Sequence, residues 1–152
     1  AFSLGVTGEK SFNTGSTTTV TPHIGLRFLS QNNDGYTAKV NGQKAFKYDP
    51  DNVNLFLLPV GIGIHGQKET FRWMADVSYI AALGGKDNDM KFSVVGLDAS
   101  DKFSYDVYEN SFLGRVELGG EWKNFGAAIG YAYQKSSNVT DNRFNAKISY
   151  KF

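Results

Sequence analysis

Residues 112–133 read FLGRVELGGEWKNFGAAIGYAY, and this alternation predicts two antiparallel β-strands joined by a tight turn. In the first half every second residue is apolar or glycine, and the charged residues Arg115, Glu117 and Glu121 lie between them. A two-residue polar break, Lys123-Asn124, separates this half from a second half with the same period. One face of the predicted pair is therefore free of charge, and the other face carries it.

The same period of two extends along the whole chain and predicts an all-β, antiparallel fold. The alternating segments, bounded by turn-forming residues, are 2–12, 17–30, 53–66, 70–83, 111–123, 125–135 and 142–152. Each is close to or longer than the ~9–11 residues that a tilted membrane-spanning strand requires. No segment has a sustained helical period, and the most apolar run, 55–64, is about half as long as a transmembrane helix.

Charge is confined to one face of these predicted strands. In the last six strands the opposite face carries only uncharged and mainly apolar residues, of which Ile24, Leu58 and Val116 are typical. The charged residues of the polar face include Arg27, Asp76, Arg115, Glu117, Glu121, Lys147 and Lys151. A soluble barrel would turn the apolar face inward, whereas a membrane barrel turns it toward lipid and keeps the polar face in its lumen.

Three features favour the membrane arrangement. The predicted links alternate between short (13–16, 67–69, 123–124) and long (31–52, 84–110, 136–141), which is the asymmetry of outer-membrane barrels. The chain ends on the aromatic residue Phe152, on a predicted strand. Aromatic side chains also lie toward strand ends, where rings favour the water–lipid interfaces: Trp73, Phe112, Trp122, Phe125, Tyr150 and Phe152. The long links are expected to be polar surface loops, although 86–109 also contains the β-prone piece Phe92-Ser93-Val94-Val95 and can extend its strands above the membrane.

The composition excludes several other classes of function. Lys and Arg total 16 against 15 Asp and Glu, and a net charge of +1 gives no electrostatic reason to expect a nucleic-acid partner. The absence of cysteine excludes a disulfide framework and thiolate metal sites. Seventeen glycines, three prolines and 14 % aromatic residues are typical of many strands joined by tight turns.

Three stretches resemble the C-terminal translocator β-barrel domain of autotransporters, the proteins of type V secretion. They read VTPHIGLR at 20–27, LLPVGIGI at 57–64 and FGAAIGYAYQ at 125–134, and their order and spacing match that family along nearly the whole chain. The last strand resembles the C-terminal assembly signal of outer-membrane barrels. Its matching residues are Ile148, Tyr150 and Phe152, whereas Lys147 stands where that signal usually has a glycine.

The resemblance implies an antiparallel transmembrane β-barrel in the bacterial outer membrane. Autotransporter barrels have about twelve strands, so residues 1–152 are expected to be one translocator domain that is incomplete at its N-terminal side. Its implied role is to anchor and export an N-terminal passenger, with no enzyme activity of its own. The implied partners are the lipid bilayer, the barrel assembly machinery, the passenger and the missing barrel strands.

Candidate sites are few. The charges Arg27, Asp76, Arg115, Glu117 and Glu121 are expected in the lumen, where opposite signs can pair. His23 and His65 share the polar face, but no carboxylate spacing joins them into a convincing metal site. Some autotransporters cleave their own passenger inside the barrel, but structural ion pairs are the favoured interpretation of these acids. No cofactor is expected.

Two alternatives remain open at this stage. The chain could be a small autonomous outer-membrane barrel, acting as a channel or an adhesin. That hypothesis requires an eighth strand, within 36–48 or within 90–97. The chain could also be a soluble β-barrel that binds an apolar ligand, and its core would then contain Ile24, Leu58 and Val116.

Overall fold

The computed structural model describes residues 1–151, and within them the regular secondary structure is entirely β. In chain order the strands are β1 (Phe2–Glu9), β2 (Phe12–Asn13), β3 (Thr18–Gln31), β4 (Tyr36–Val40), β5 (Gln43–Pro50), β6 (Val53–Lys68), β7 (Phe71–Gly84), β8 (Asp87–Val94), β9 (Ser100–Asp106), β10 (Ser111–Trp122), β11 (Phe125–Lys135) and β12 (Thr140–Tyr150). The predicted all-β fold is confirmed. The described residues contain no helix that is long and apolar enough to cross a membrane.

The main sheet is an antiparallel meander with the strand order β1-β3-β6-β7-β10-β11-β12, and the short β2 also pairs with β3. All seven predicted strands are present, although the first is interrupted at Lys10-Ser11 and so appears as β1 and β2. The pair β10–β11 has the register expected for its hairpin, from Phe112 opposite Lys135 to Trp122 opposite Phe125. The sheet is open, because β1 and β12 each have a neighbour on one side alone.

Link lengths alternate as predicted. Two links have only two residues, 69–70 and 123–124, and each starts with a residue of positive φ, Glu69 at 54° and Lys123 at 52°. Such left-handed residues permit the tight reversal between neighbouring antiparallel strands. The longer links leave the opposite ends of these strands, so the short-and-long asymmetry is confirmed.

The apolar face of the main sheet is exposed, and the polar face is the more covered one. Ile24 and Val116 are 53 % and 48 % exposed, whereas Ser78 and Asp76 on the polar face are buried. A soluble barrel with an apolar core requires the reverse, so that alternative is contradicted. The direction of the alternation is the one expected for a sheet whose apolar side contacts lipid.

Two of the long links contain a second sheet, with the strand order β4-β5-β8-β9. The β-prone piece 92–95 lies mostly in β8, whereas the expectation that these links are otherwise polar loops was wrong. The hairpin β4–β5 turns at Asn41-Gly42, where both residues have positive φ, and β5 pairs with β8 from Phe46 opposite Val94 to Pro50 opposite Met90. These are the regions where an autonomous barrel would need its eighth strand, and they form a separate sheet instead.

The chain divides into two compact units. Unit one comprises 1–5, 27–57 and 82–109, and it contains the second sheet. Unit two comprises 6–26, 58–81 and the chain from 110 onward, and it contains most of the charge-free face of the main sheet.

Candidate functional site

Asp76 of β7 is the centre of a polar cluster on the polar face of unit two. His23 Nε2 lies 2.7 Å from Asp76 Oδ2, and Arg115 donates a 3.0 Å hydrogen bond to Asp76 Oδ1. Ser78 Oγ donates to the same oxygen at 2.9 Å. The carboxylate therefore has a partner on each oxygen, from three strands of the sheet.

The positions of two partners follow directly from the sheet. Asp76 and Arg115 are opposite each other in the register of β7 and β10. Ser78 lies two residues from Asp76 on the same strand and therefore on the same face. Cross-strand pairs of opposite charge stabilise a sheet, so this part of the cluster needs no distortion of the backbone.

His23 reaches Asp76 across an intervening strand. Its strand, β3, is separated from β7 by β6, and β6 carries Gly61 and Gly63 where the side chain of His23 passes. A Cβ added at Gly61 would lie 2.5 Å from both His23 Cε1 and Ser78 Oγ. A Cβ at Gly63 would lie 3.3 Å from Asp76 Oδ2. The two glycines therefore leave the space through which His23 makes its contact.

Burial makes this cluster different from a surface ion pair. The side chain of Asp76 is 6 % exposed and that of His23 is 15 % exposed, while the Arg115 side chain remains about half exposed. A covered carboxylate without partners is costly, so its three contacts hold β3, β7 and β10 in one arrangement. The exposed part of Arg115 keeps further guanidinium donors available on the polar face.

The cluster does not have the order of a nucleophile–base–acid relay. In such a relay the histidine stands between the hydroxyl and the carboxylate. Here Asp76 stands in the middle, and both His23 and Ser78 bind to it. The arrangement is therefore suited to bracing the sheet rather than to activating the Ser78 hydroxyl.

A second, looser group of charges lies near the short turns. Glu121 of β10 is 3.3 Å from Lys151 Nζ and 3.8 Å from an Arg72 guanidinium nitrogen. All three side chains are substantially exposed, and exposed pairs contribute about 0–1 kcal/mol each. This group links strands β7 and β10 with the end of β12 at small energetic gain.

The structure brings together only some of the residues predicted for the lumen. Asp76 and Arg115 meet directly, and Glu121 pairs elsewhere. Within residues 1–151 neither Arg27 nor Glu117 forms an ion pair.

Sequence reasoning missed the contact of His23 with Asp76. The signal that could have found it is the pair of glycines at 61 and 63, which opens β6 between a histidine and an acid on the same face.

His65 lies apart from this cluster. It lines an open recess of about 440 Å³ together with Arg72, Trp73 and Glu117, next to the short link before β3. The part of the chain that the structure describes contains no group of three metal-ligating side chains. His23 and His65 are therefore not brought together as a histidine metal pair.

Two residues of the expected assembly signal lie on the edge strand β12. Ile148 and Tyr150 are exposed on the apolar face, and Ile148 is opposite Ala127 of β11. Phe152 lies outside the described residues. The signal itself stays a prediction.

Comparison with known proteins gives one positive result. The family model described as Autotransporter beta-domain matches residues 1–134. No curated protein and no solved structure matches the chain. The matched range includes every strand of both sheets except β12 and the last residue of β11.

Proposed function

Because this chain belongs to the autotransporter β-domain family, we propose that it forms part of an outer-membrane barrel that anchors and exports an N-terminal passenger. Translocation across the outer membrane is the general role of this family. The single observation that carries the proposal for this chain is the exposure pattern of unit two, with the apolar face outward and the polar face covered.

The energetics of the bilayer support this orientation. A Lys or Arg side chain on the lipid face near mid-bilayer costs about 2–4 kcal/mol, so a lipid face must be free of charge. The apolar face of the main sheet meets this condition, with the exposed Ile62, Val77 and Ile129 as examples. The charged residues Asp76 and Arg115 are on the opposite face, where they pair with each other.

We propose that further strands complete the barrel between β12 and β1. Seven strands alternate in direction from one edge of the sheet to the other, so β1 and β12 run in the same direction. An all-antiparallel closure therefore needs an odd number of additional strands, and five would give the twelve implied by the resemblance. An unpaired edge cannot remain in lipid, because its backbone groups would have no partners.

The need for an odd number of additional strands also limits which segments can supply them. A second copy related by rotation about the membrane normal would place β1 parallel to β12, which an antiparallel barrel does not allow. We therefore favour a different segment as their source. Residues 1–152 expressed alone should then give no detergent-stable monomer with heat-modifiable gel mobility. A heat-modifiable monomer from this chain alone would refute the proposal.

The orientation of the sheet is tested with two adjacent single cysteines, Val116→Cys and Glu117→Cys, in the complete membrane-inserted protein. These neighbours point to opposite faces of β10. A lipophilic maleimide should label the first variant and a water-soluble maleimide the second. Additional cysteines at Leu58 and Ile148 should behave like Val116→Cys. Labelling of Val116→Cys by the water-soluble reagent alone would overturn the proposed function.

Insertion by the barrel assembly machinery is a further part of the proposal, with β12 as the strand that is recognised. Phe152→Ala should then lower the amount of protein in the outer membrane, as measured by fractionation and immunoblotting. Val139→Ala, in the link before β12, is a control outside the strand. Equal outer-membrane amounts of Phe152→Ala and the native protein would count against this role of the C-terminus.

A further inference from the structure

A groove crosses the exposed apolar face of unit two at Gly114. It is lined by outward side chains of four neighbouring strands, β6, β7, β10 and β11, and its volume is about 450 Å³. Asp76 and Arg115 also border the groove, but they alternate with its outward residues and belong to the opposite face. The outward side chains around the glycine are apolar or aromatic: Ile62, Ile64, Ala75, Val77, Val116, Tyr131 and Tyr133. All four strands have neighbours on both sides, so the groove does not depend on how the open edges are completed.

The floor of the groove is formed by two small residues. Gly114 is opposite Val77 on one side and Tyr133 on the other, and a Cβ added at Gly114 would meet nothing within 4 Å. Ala75 is opposite Val116, one pair further along the same face. Gly114 and Ala75 are thus diagonal neighbours, and larger side chains stand around them.

The shape of this groove is fixed by its walls. Ile62 and Ile64 on β6 form one side, and Tyr131 and Tyr133 on β11 form the other. Tyr131 is held at its ring end, because its hydroxyl donates a 2.7 Å hydrogen bond to Asn142 Oδ1 on β12. Branched side chains and a tethered ring have few alternative rotamers, so the groove is pre-formed rather than opened by a ligand.

We infer that this groove is a binding site for one acyl chain of a membrane lipid. The inference rests on the proposed function, since it requires the apolar face to contact the bilayer. Apolar burial gives no driving force inside lipid, so retention there depends on van der Waals packing. An unfilled depression forfeits those contacts, whereas a flexible hydrocarbon chain restores them. The volume lies within the range of small-molecule sites, about 300–1,000 Å³.

The site is on the half of the membrane nearer the long links. Gly114 is the fourth residue of β10, which begins at Ser111 after the link that contains β8 and β9. With a rise of about 3.4 Å per residue, the groove is within roughly one leaflet of the end of the strand. The lipid that occupies it therefore belongs to the leaflet at the long-link side.

The test compares lipid retention by variants that fill the floor. The complete protein is inserted into vesicles of a defined phosphatidylethanolamine, extracted gently and measured by native mass spectrometry at increasing collision energy. Gly114→Leu should lose one retained lipid relative to the native protein, and Ala75→Leu should have the same effect from the other end of the floor. Ala146→Leu adds the same side chain to an exposed position on the same face of β12, outside the groove, and should retain the full number.

The outcomes separate the groove from the proposed function. Heat-modifiable mobility shows that each variant is inserted, and Ala75→Leu serves as the test if Gly114→Leu fails to insert. Inserted floor variants that retain as many lipids as the native protein would overturn the acyl-chain site and leave the translocator proposal intact. The acyl-chain site would also be overturned if the native protein were a dimer and the floor variants were monomers with the same number of lipids. The groove would then be an interface between two copies of the chain. Failure of the native protein itself to insert would count against the proposed function.

Discussion

The main sheet and the second sheet are built on the same alternation, but they differ in which side chains they cover. In the main sheet apolar residues such as Val116 are exposed, and Ser78 and Asp76 on the other face are buried. In the second sheet Phe46 and Phe92 stack on each other with ring centroids 5.4 Å apart and are half-buried. Lys91, on the other face of that sheet, is exposed, and so are Tyr36 and Phe103 at the margins of the ring face.

This difference is the one expected if the two sheets lie in different media. In water the favourable arrangement removes apolar surface from the solvent, and the covered rings of the second sheet follow that rule. In a bilayer the hydrocarbon accepts the apolar side chains, and the polar ones must find partners on the inner face. Alternation predicts a strand with one apolar and one polar face. Which of these two faces is buried then indicates whether the strand is suited to water or to lipid.

The largest expected effect comes from removing Asp76, the most interconnected residue of the covered face. Asp76→Ala leaves Arg115 and His23 without their shared acceptor, and it should lower the free energy of unfolding by about 3–5 kcal/mol. Denaturant unfolding of the complete protein in vesicles measures this loss. The matched variant is Asp89→Ala in the second sheet, which removes a partly exposed partner 2.6 Å from the exposed Lys102 and should have a much smaller effect. Equal losses of unfolding free energy in the two variants would contradict the proposed difference between the two sheets.

Two equally exposed valines test the medium directly. Val116 of the main sheet is 48 % exposed and Val95, after the last residue of β8, is 45 % exposed. Val116→Lys should cost about 2–4 kcal/mol, since it places a charge on the lipid face. Val95→Lys should be close to neutral, since it places the same charge in water. Folding titrations into vesicles compare the two, and a neutral Val116→Lys would contradict a lipid-facing sheet.

Substitutions of glycine test the space over β6 that Gly61 and Gly63 leave for the side chain of His23. Gly61→Ala forces a Cβ against His23, Ser78 and the Val77 carbonyl oxygen, so overpacking should cost about 1–3 kcal/mol. Gly114→Ala adds the same methyl group where nothing lies within 4 Å, and it should be nearly neutral. Thermal unfolding in detergent reports the difference. If both variants unfold at the same temperature, the contact of His23 with Asp76 does not depend on the absence of a side chain at Gly61.

The smallest expected effect is a pH dependence within the second sheet. Asp106 is opposite Asp87 on β8, and the hydrogen bond to the Asp87 carboxyl raises the pKa of Asp106 above 3.8. A raised carboxyl pKa means that the folded state binds its proton more readily, so the β8–β9 hairpin gains stability as pH falls through that pKa. The gain is complete below 3.8, the value for the unfolded chain.

Amide hydrogen exchange of residues 87–106, measured against pH, checks this sign. Asp106→Asn should abolish the gain in protection on mild acidification. Asp89 behaves in the opposite way, because its hydrogen bond with Lys102 lowers the pKa of Asp89, so its contribution is lost as the pH falls below 3.8. Hairpin protection that decreases steadily from neutral pH downward would contradict the assignment to Asp106.

The seven strands of the main sheet could be predicted because each is long and strictly alternating. The second sheet could not be predicted as easily, since β4 has only five residues and its pairing with β5 shifts register after Ala38. Short strands with an irregular register give a weak period, and charged residues such as Lys47 and Asp49 made the segment resemble a polar loop.

The polar cluster was predictable only in part. The sign and face of Asp76 and Arg115 follow from alternation, and their pairing follows once β7 and β10 are recognised as neighbours. The side chain of His23 on β3 contacts Asp76 on β7 across the intervening strand β6, and a periodic pattern along the sequence does not predict such a contact. It becomes visible only when Gly61 is seen to lie between the two side chains.

The pairing of β5 with β8 has a consequence for how the chain can vary and fold. These strands come from two insertions that are separated along the chain by β6 and β7, so they can pair only after that long hairpin has brought them together. A deletion in one insertion would leave an edge of the other unsatisfied. Related sequences should therefore show correlated changes in the lengths of the 32–52 and 85–110 segments, because a change in one segment alters the strand with which the other one pairs.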